Sequence, residues 1–236
     1  MQIALVMAHP DDAEIAAGGL IGAWRSLGAL ITIVIATDGS RGGRGDAKAL
    51  AARRADEART AASLLGADLM LCGYPDGALA GSTSLVSELG GRLAALAPDL
   101  VVTHPTQDYH ADHRALAVAV GQAASFRVPV VAIDPIMGVG FTPTHYIDIT
   151  PWQDLKERAI LCHSSQDPAR FVRQARLQAE FRAAQCGHAG FAEAVRHDPV
   201  YPFADIRALL PPAPPLRAVR DRAQADPTPP NSEGRA

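Results

Sequence analysis

His9-Pro10-Asp11-Asp12 and His110-Ala111-Asp112-His113 are the two densest runs of metal-ligating side chains in the sequence. Two histidines and one carboxylate suit a catalytic zinc ion, which keeps a position open for water. Such an ion acidifies the water towards neutrality, and a neighbouring carboxylate can take its proton. Adjacent aspartates can divide these tasks, because side chains one residue apart point in different directions. Spacing alone leaves open whether Asp11 or Asp12 is the ligand, and whether His110 or His113 completes the triad. A single His-x-x-Asp is a common pattern whose aspartates can simply cap the following helix. The second His/Asp cluster, placed after another strand of the same sheet, lifts the pattern above that reading.

The elements that must position these residues alternate in type. Length and apolar pattern predict strands at Gln2–Met7, Leu30–Ala36, Asp68–Cys72, Leu100–Thr103 and Val128–Ile133, with an extra strand at Tyr146–Ile149. Helices are predicted after Asp12, over Lys48–Leu65 with a stop at Gly66, over Ser84–Leu96, from near Asp112, and over Pro151–Cys162 and Pro168–Ala184. This order implies an α/β, Rossmann-like, mostly parallel sheet with helices on both faces. Ligands of such sheets bind outside the carboxyl ends of the strands, where His9, Asp38 and His104 to His113 all fall. One domain over residues 1–210 is expected, followed by a proline-rich tail over 211–236 too polar to pack tightly.

Composition narrows the partners. With 236 residues, 48% of them hydrophobic and 20% charged, the chain can bury a sizeable core. A net charge of -3 without a Lys/Arg run argues against nucleic acid and against an anionic membrane, which leaves a small molecule. Cys72, Cys162 and Cys186 show no C-x-x-C spacing, as a reducing compartment permits. The apolar start Met1 to Ala8 lacks the basic lead of a signal peptide, and no apolar stretch approaches the roughly 18 residues of a membrane span. A cytoplasmic address is expected. The glycines after Asp38 lack the Gly-Lys-Ser/Thr of a phosphate loop, so nucleotide binding is not expected.

The sequence resembles the LmbE-like or PIG-L-like zinc-dependent N-deacetylases. The resemblance rests on Ala8-His9-Pro10-Asp11-Asp12-Ala13-Glu14 with Gly18-Gly19, on Thr37-Asp38-Gly39, and on Arg54-x-x-Glu57 with Leu65-Gly66. It continues through Tyr74-Pro75-Asp76-Gly77, Asp108-x-His110-x-Asp112-His113, and Lys156 with His163-x-x-Gln166. It implies a hydrolase that removes an N-acetyl group from an amino sugar or small conjugate, with His9, Asp12 and His113 as ligands of zinc, or of iron(II) or another divalent ion. Asp11 would be the general base. His110 would stabilise the oxyanion, and Asp112 would orient His110 by accepting its second ring N–H. Arg54 and Asp108 would bind substrate, although Arg54 also has a plain structural reading as an ion pair with Glu57 on one helix. The resemblance leaves room for a homo-oligomer.

Two departures stand out. Ala111 replaces a proline common in the family, and the family's closing helix, here Phe191 to Val195, lacks its aromatic. Of the other histidines, His104 is read as a residue supporting the site or, more simply, a turn histidine, and His145, His188 and His197 as surface or satisfied residues. His163 and Gln166 are expected near the pocket, and Asp38 is expected to shape its loop through backbone hydrogen bonds. The competing functions are an iron(II) oxygenase or phosphoesterase, and a non-catalytic sugar-binding module. The spare carboxylate Asp11 speaks against an oxygenase, the lack of second-metal ligands against a phosphoesterase, and the intact motifs against a degenerate module.

Overall fold

In strand β1 (Gln2–Met7) successive apolar side chains enter opposite layers: Ile3, Leu5 and Met7 join one buried cluster, Ala4 and Val6 the other. Strand β2 (Leu30–Thr37) splits in the same way, with Ile31, Ile33 and Ile35 on one face and Val34 and Ala36 on the other. A strand apolar on both faces must be covered on both, which is why these runs are continuous rather than alternating. The isoleucine, leucine, valine and methionine side chains among them contribute about 1.5–3 kcal/mol each on full burial. The computed structural model describes residues 1–200 and 202–216. It forms a seven-stranded sheet ordered β3-β2-β1-β4-β5-β7-β6, where β3 is Asp68–Tyr74, β4 Leu100–Thr103, β5 Val130–Ile133, β6 His145–Asp148 and β7 Ala192–Arg196. The first five are mutually parallel, and β7 runs antiparallel to both β5 and β6.

The helices are α1 (Asp12–Ser26), α2 (Ala47–Leu65), α3 (Leu85–Leu96), α4 (Ala111–Ala124), α5 (Gln153–Leu161) and α6 (Pro168–Gln185). Residues of α1, α2, α5 and α6 join one cluster, and residues of α3 and α4 the other. Helix α2 ends as its sequence indicates, with Gly66 left-handed at φ 68°. Helix α1 tolerates Gly19 and Gly22 for a different reason. A Cβ at either would lie 2.7 Å from Ile149 or Trp152, so glycine lets the α5 segment close directly onto α1.

The C-terminal part departs from expectation. Phe191 to Val195 is not a helix: residues 192–196 form β7, because β5 still has an open edge and Val195 and Arg196 pair with Ile133 and Ala132 there. The strand also inserts Glu193, whose two oxygens accept the N–H groups of Gly19 (3.0 Å) and Leu20 (2.7 Å), while Lys156 Nζ lies 2.7 Å away. Residues 211–216 are attached rather than free: Asp148 N–H donates to Pro212 O at 3.1 Å, and Pro211 and Pro214 are buried. The rest of the tail, 217–236, lies outside the described residues. Among the described residues no helix is long and apolar enough to cross a membrane.

Candidate metal centre

The strand order 3-2-1-4-5 makes the chain leave β1 and β4 in opposite directions, and the crevice above their carboxyl ends is where such folds bind ligands. His9 follows β1, and His104 to His113 follow β4. Asp11 bridges β1 to α1 at φ 121° and ψ −23°, a conformation uncommon outside glycine, and its side chain makes no cap bond to the helix. The two aspartates therefore do not serve as simple helix caps. Asp12 Oδ2 instead accepts the N–H of His9 at 2.8 Å and turns inward.

Three donor atoms converge. His9 Nδ1 lies 3.4 Å from Asp12 Oδ2, His113 Nε2 lies 3.3 Å from the same oxygen, and the two ring nitrogens are 3.1 Å apart. A tetrahedral zinc with bonds of about 2.0–2.1 Å spaces its ligands by roughly 3.3 Å. The far side of each ring is backed by carboxylate, which favours a proton there and leaves the inward nitrogen its lone pair. His113 Nδ1 is 3.0 Å from Asp108 Oδ2, and His9 Nε2 is 3.2 Å from Asp76 Oδ1 and 3.4 Å from Asp112 Oδ2. A second grouping, Asp12 with His104 and His113, fits less well. His104 Nε2 already accepts the N–H of Ala8 at 3.1 Å, so its lone pair is spent.

The electrostatics also call for a cation. Asp11, Asp12, Asp76, Asp108 and Asp112 crowd the site, with Arg54 the buried guanidinium among them. Burial opposes charge on His9, yet Asp12 and Asp76 outweigh it and raise its pKa to about 10. His113 rises to about 9 against the same burial penalty, held by Asp12 and Asp108. Asp12 stays well below the usual carboxylate range despite burial, because His113 and His104 face it. Asp11 moves the other way: burial raises it to about 7, with the nearby Arg54 opposing and Asp12 adding to the rise.

The remaining predicted residues take definite places. His110 packs edge-on to His9 with ring centroids 4.6 Å apart. Its Nδ1 accepts the N–H of Asp112 at 3.2 Å, so the ring proton belongs on Nε2. Burial, with His9 and His113 nearby, lowers its pKa and keeps it neutral. Asp112 does not accept a ring N–H of His110: its carboxylate holds the N–H groups of Gly77 (2.7 Å) and Leu79 (3.2 Å) and faces His9. Asp108 is 2% exposed, lines the cavity, and engages His113 Nδ1 and the N–H of His110. Arg54 makes no pair with Glu57. Its Nη2 is 3.1 Å from Asp11 Oδ2 and also reaches Pro10 O, and Nη1 donates to Gly39 O at 2.9 Å. Glu57 pairs with Arg53 and accepts from Ser164 and Ser165.

The sequence left two contributors without a definite role. Of its two readings His104 takes the supporting one rather than that of a simple turn histidine: it is 3% exposed and stacks on His113 at 3.8 Å and 18°. Asp76 backs His9 from the turn after β3. Both are among the first polar residues beyond a parallel strand, the same signal that singled out His9. Asp38 shapes its loop as expected, its Oδ1 accepting the N–H groups of Ser40 and Asp76. His163 is buried behind Asp11 beside Glu14 (3.3 Å) rather than in the pocket wall. The cavity above the donor triangle holds about 360 Å³, with Ile15, Ile133, Pro135, Ile136 and Phe171 as its apolar wall.

Residues 4–124 match the pattern of the family described as PIG-L: GlcNAc-PI de-N-acetylase. The chain is 31% identical over 181 residues to the diacetylchitobiose deacetylase of Thermococcus kodakarensis, covering 68% of each chain. Its fold is similar to the N,N'-diacetylchitobiose deacetylase from Pyrococcus horikoshii (TM-score 0.76, 24% identity, 84% of each chain). It is also similar to a 4-carboxy-2-hydroxymuconate hydratase from Pseudomonas putida (TM-score 0.72, 24% identity, 83% of this chain and 95% of that one). The family match over the segment that carries His9, Asp12 and His113, together with the 31% identity to a deacetylase, identifies this chain as a member of the PIG-L family of de-N-acetylases.

Proposed function

We propose that the chain hydrolyses the N-acetyl group of an amino sugar or small glycoconjugate, using a divalent ion held by His9, Asp12 and His113. The observation that carries this reading is the donor triangle of 3.1–3.4 Å edges with Asp11 beside it and committed to none of those edges. Two imidazoles and one carboxylate favour zinc, with iron(II) the nearest alternative. When bound, the ion would acidify a water and polarise the amide carbonyl.

The chain's own groups supply the rest. Asp11 takes a proton from the attacking water, and its pKa near 7 leaves it basic at neutral pH yet able to release that proton again. Arg54, locked between Asp11, Pro10 O and Gly39 O, fixes the base while its charge opposes protonation. The neutral ring of His110 can donate Nε2–H to the carbonyl oxygen as negative charge develops there. The C–N bond then breaks, the amine leaves with the proton relayed through Asp11, and acetate remains. A hydratase shares the fold, so the fold alone does not choose the reaction. The base beside an acceptor-lined site is what favours hydrolysis over oxygenase, phosphoesterase or purely sugar-binding readings.

A cytoplasmic address and one catalytic domain over 1–210 complete the reading. The test is amine release from a panel of N-acetylated sugars and thiol-sugar conjugates, run with chelator-stripped protein and again after zinc is restored. Release that disappears on stripping and returns with zinc is expected. Undiminished release from the stripped protein would remove the metal from the mechanism.

A further inference from the structure

We propose that Ile15, Ile133, Pro135, Ile136 and Phe171 form an acyl subsite larger than a methyl group needs, so that N-propionyl and N-butyryl amino sugars are better substrates than the N-acetyl sugar. This rests on the hydrolytic reading above and specifies the acyl half of the same amide; the bond broken and the proton path stay the same, and only the released acid changes. The sheet order gives the cavity two flanks. Residues that follow β2 and β3, among them Arg41, Gly42, Asp76 and Gly77, line it on one side of the β1–β4 crevice. The end of β5 and the turn after it line the other side, together with Ile15 of α1 and Phe171 of α6. An amino sugar presents hydroxyls that need hydrogen-bonding partners, and an acyl chain presents none. The sugar therefore belongs on the first flank, and the acyl chain on the apolar one.

The polar side chains behind the apolar flank are spent within the protein. Asp134, next to Ile133, accepts from Arg182 Nε and Nη2 at 2.5 and 3.0 Å. Gln178 accepts the Met137 N–H at 2.6 Å and donates to Pro135 O at 2.9 Å. Lys156 pairs with Glu193 at 2.7 Å. With Ile15, Ala16 and Ile136 these groups surround a void of about 10 Å³ behind the wall, room for one water at most. The wall is also held in shape. Met137 takes φ 62°, a conformation unfavourable for a residue with a side chain, and the two bonds from Gln178 brace the turn around it. Gly138 packs so closely under Arg182 that a Cβ there would stand 2.8 Å from Nη2. Strain of this kind persists only where surrounding contacts over-determine it, and here it keeps Ile136 in the cavity wall. An acetyl methyl covers little of a wall built from five such residues, and each further methylene withdrawn from water strengthens binding.

The test uses the full, zinc-loaded chain and two readouts. Amine release is followed from N-acetyl-, N-propionyl- and N-butyrylglucosamine, and from the methyl and butyl glycosides of N-acetylglucosamine. The kcat/KM is expected to rise about threefold or more per added acyl methylene and to ignore the glycoside's chain. Ile136→Ser should bring the butyryl-to-acetyl ratio below about threefold, and Ile136→Val should keep most of it. A flat or falling series, a preference that survives Ile136→Ser, or one that follows the glycoside's chain instead overturns the subsite. Equilibrium binding of the free acids needs no turnover, and butyrate should bind about tenfold more tightly than acetate. That binding preference without amine release from any of the sugars retains the subsite and sinks the hydrolytic reading. Release with neither readout depending on chain length sinks the subsite alone.

Discussion

The two halves of this molecule bury charge in opposite ways. Around α5, α6 and β7, two buried cations each have a committed carboxylate. Lys156 meets Glu193 at 2.7 Å, and Arg182 holds both oxygens of Asp134. Around His9 and His113, five carboxylates face one buried guanidinium and a set of histidines. Paired charge fixes the packing of α1 against β7 and α5. Unbalanced charge stores a demand for a cation. Burial alone therefore does not mark a site; the excess of one sign does.

Mutations that change this contrast should show it, beginning with the largest effect. Asp11→Asn should lower turnover by about a hundred- to ten-thousandfold while metal content by elemental analysis stays normal. Retained activity would remove Asp11 as the base. Lys156→Met leaves Glu193 buried with its charge uncompensated, and should cost about 3–5 kcal/mol of unfolding free energy in a denaturant titration. A negligible change there would mean that the Gly19 and Leu20 N–H groups alone satisfy the carboxylate.

Smaller effects sharpen the comparison. Asp108→Asn removes the charge behind His113 and should weaken zinc affinity by about 10–100-fold without unfolding the chain. Proton competition supplies a pH test. His9 and His113, titrating near 10 and 9 in the metal-free protein, must both lose a proton before their inward nitrogens can ligate. Below those values zinc affinity should therefore rise with pH, by about tenfold per unit for each proton released. A chelator competition series that is flat between about pH 6 and pH 8 would contradict that assignment. Last, Gly22→Ala pushes a methyl into Trp152 and should cost about 1–3 kcal/mol with the metal site intact.

Much of this was legible in the chain. The five parallel strands are short apolar runs ending in polar residues, and those endings point to one edge because parallel strands share a direction. The His-Pro-Asp-Asp and His-x-Asp-His runs could be read as ligand-bearing because their residue types have few other reasons to cluster. The antiparallel insertion of β7 was not legible. Ala192 to Val195 has no pattern that rejects a helix, and what makes it a strand is a vacant edge on β5 contributed by residues some sixty positions earlier.

By itself the sequence determined the doubly wound order, the carboxyl-end placement of the site, and the residue types available to hold a cation. Only the tertiary structure decided how those residues divide the work. It set His9 Nδ1 and His113 Nε2 beside Asp12, engaged His104 Nε2 with the Ala8 N–H, placed Asp108 behind His113, and put Asp112 on the N–H groups of Gly77 and Leu79. The physical reason is that a ligand's role depends on which of its atoms is already engaged. That engagement is set by backbone N–H groups and carboxylates from other strands, at distances that spacing along one chain does not specify.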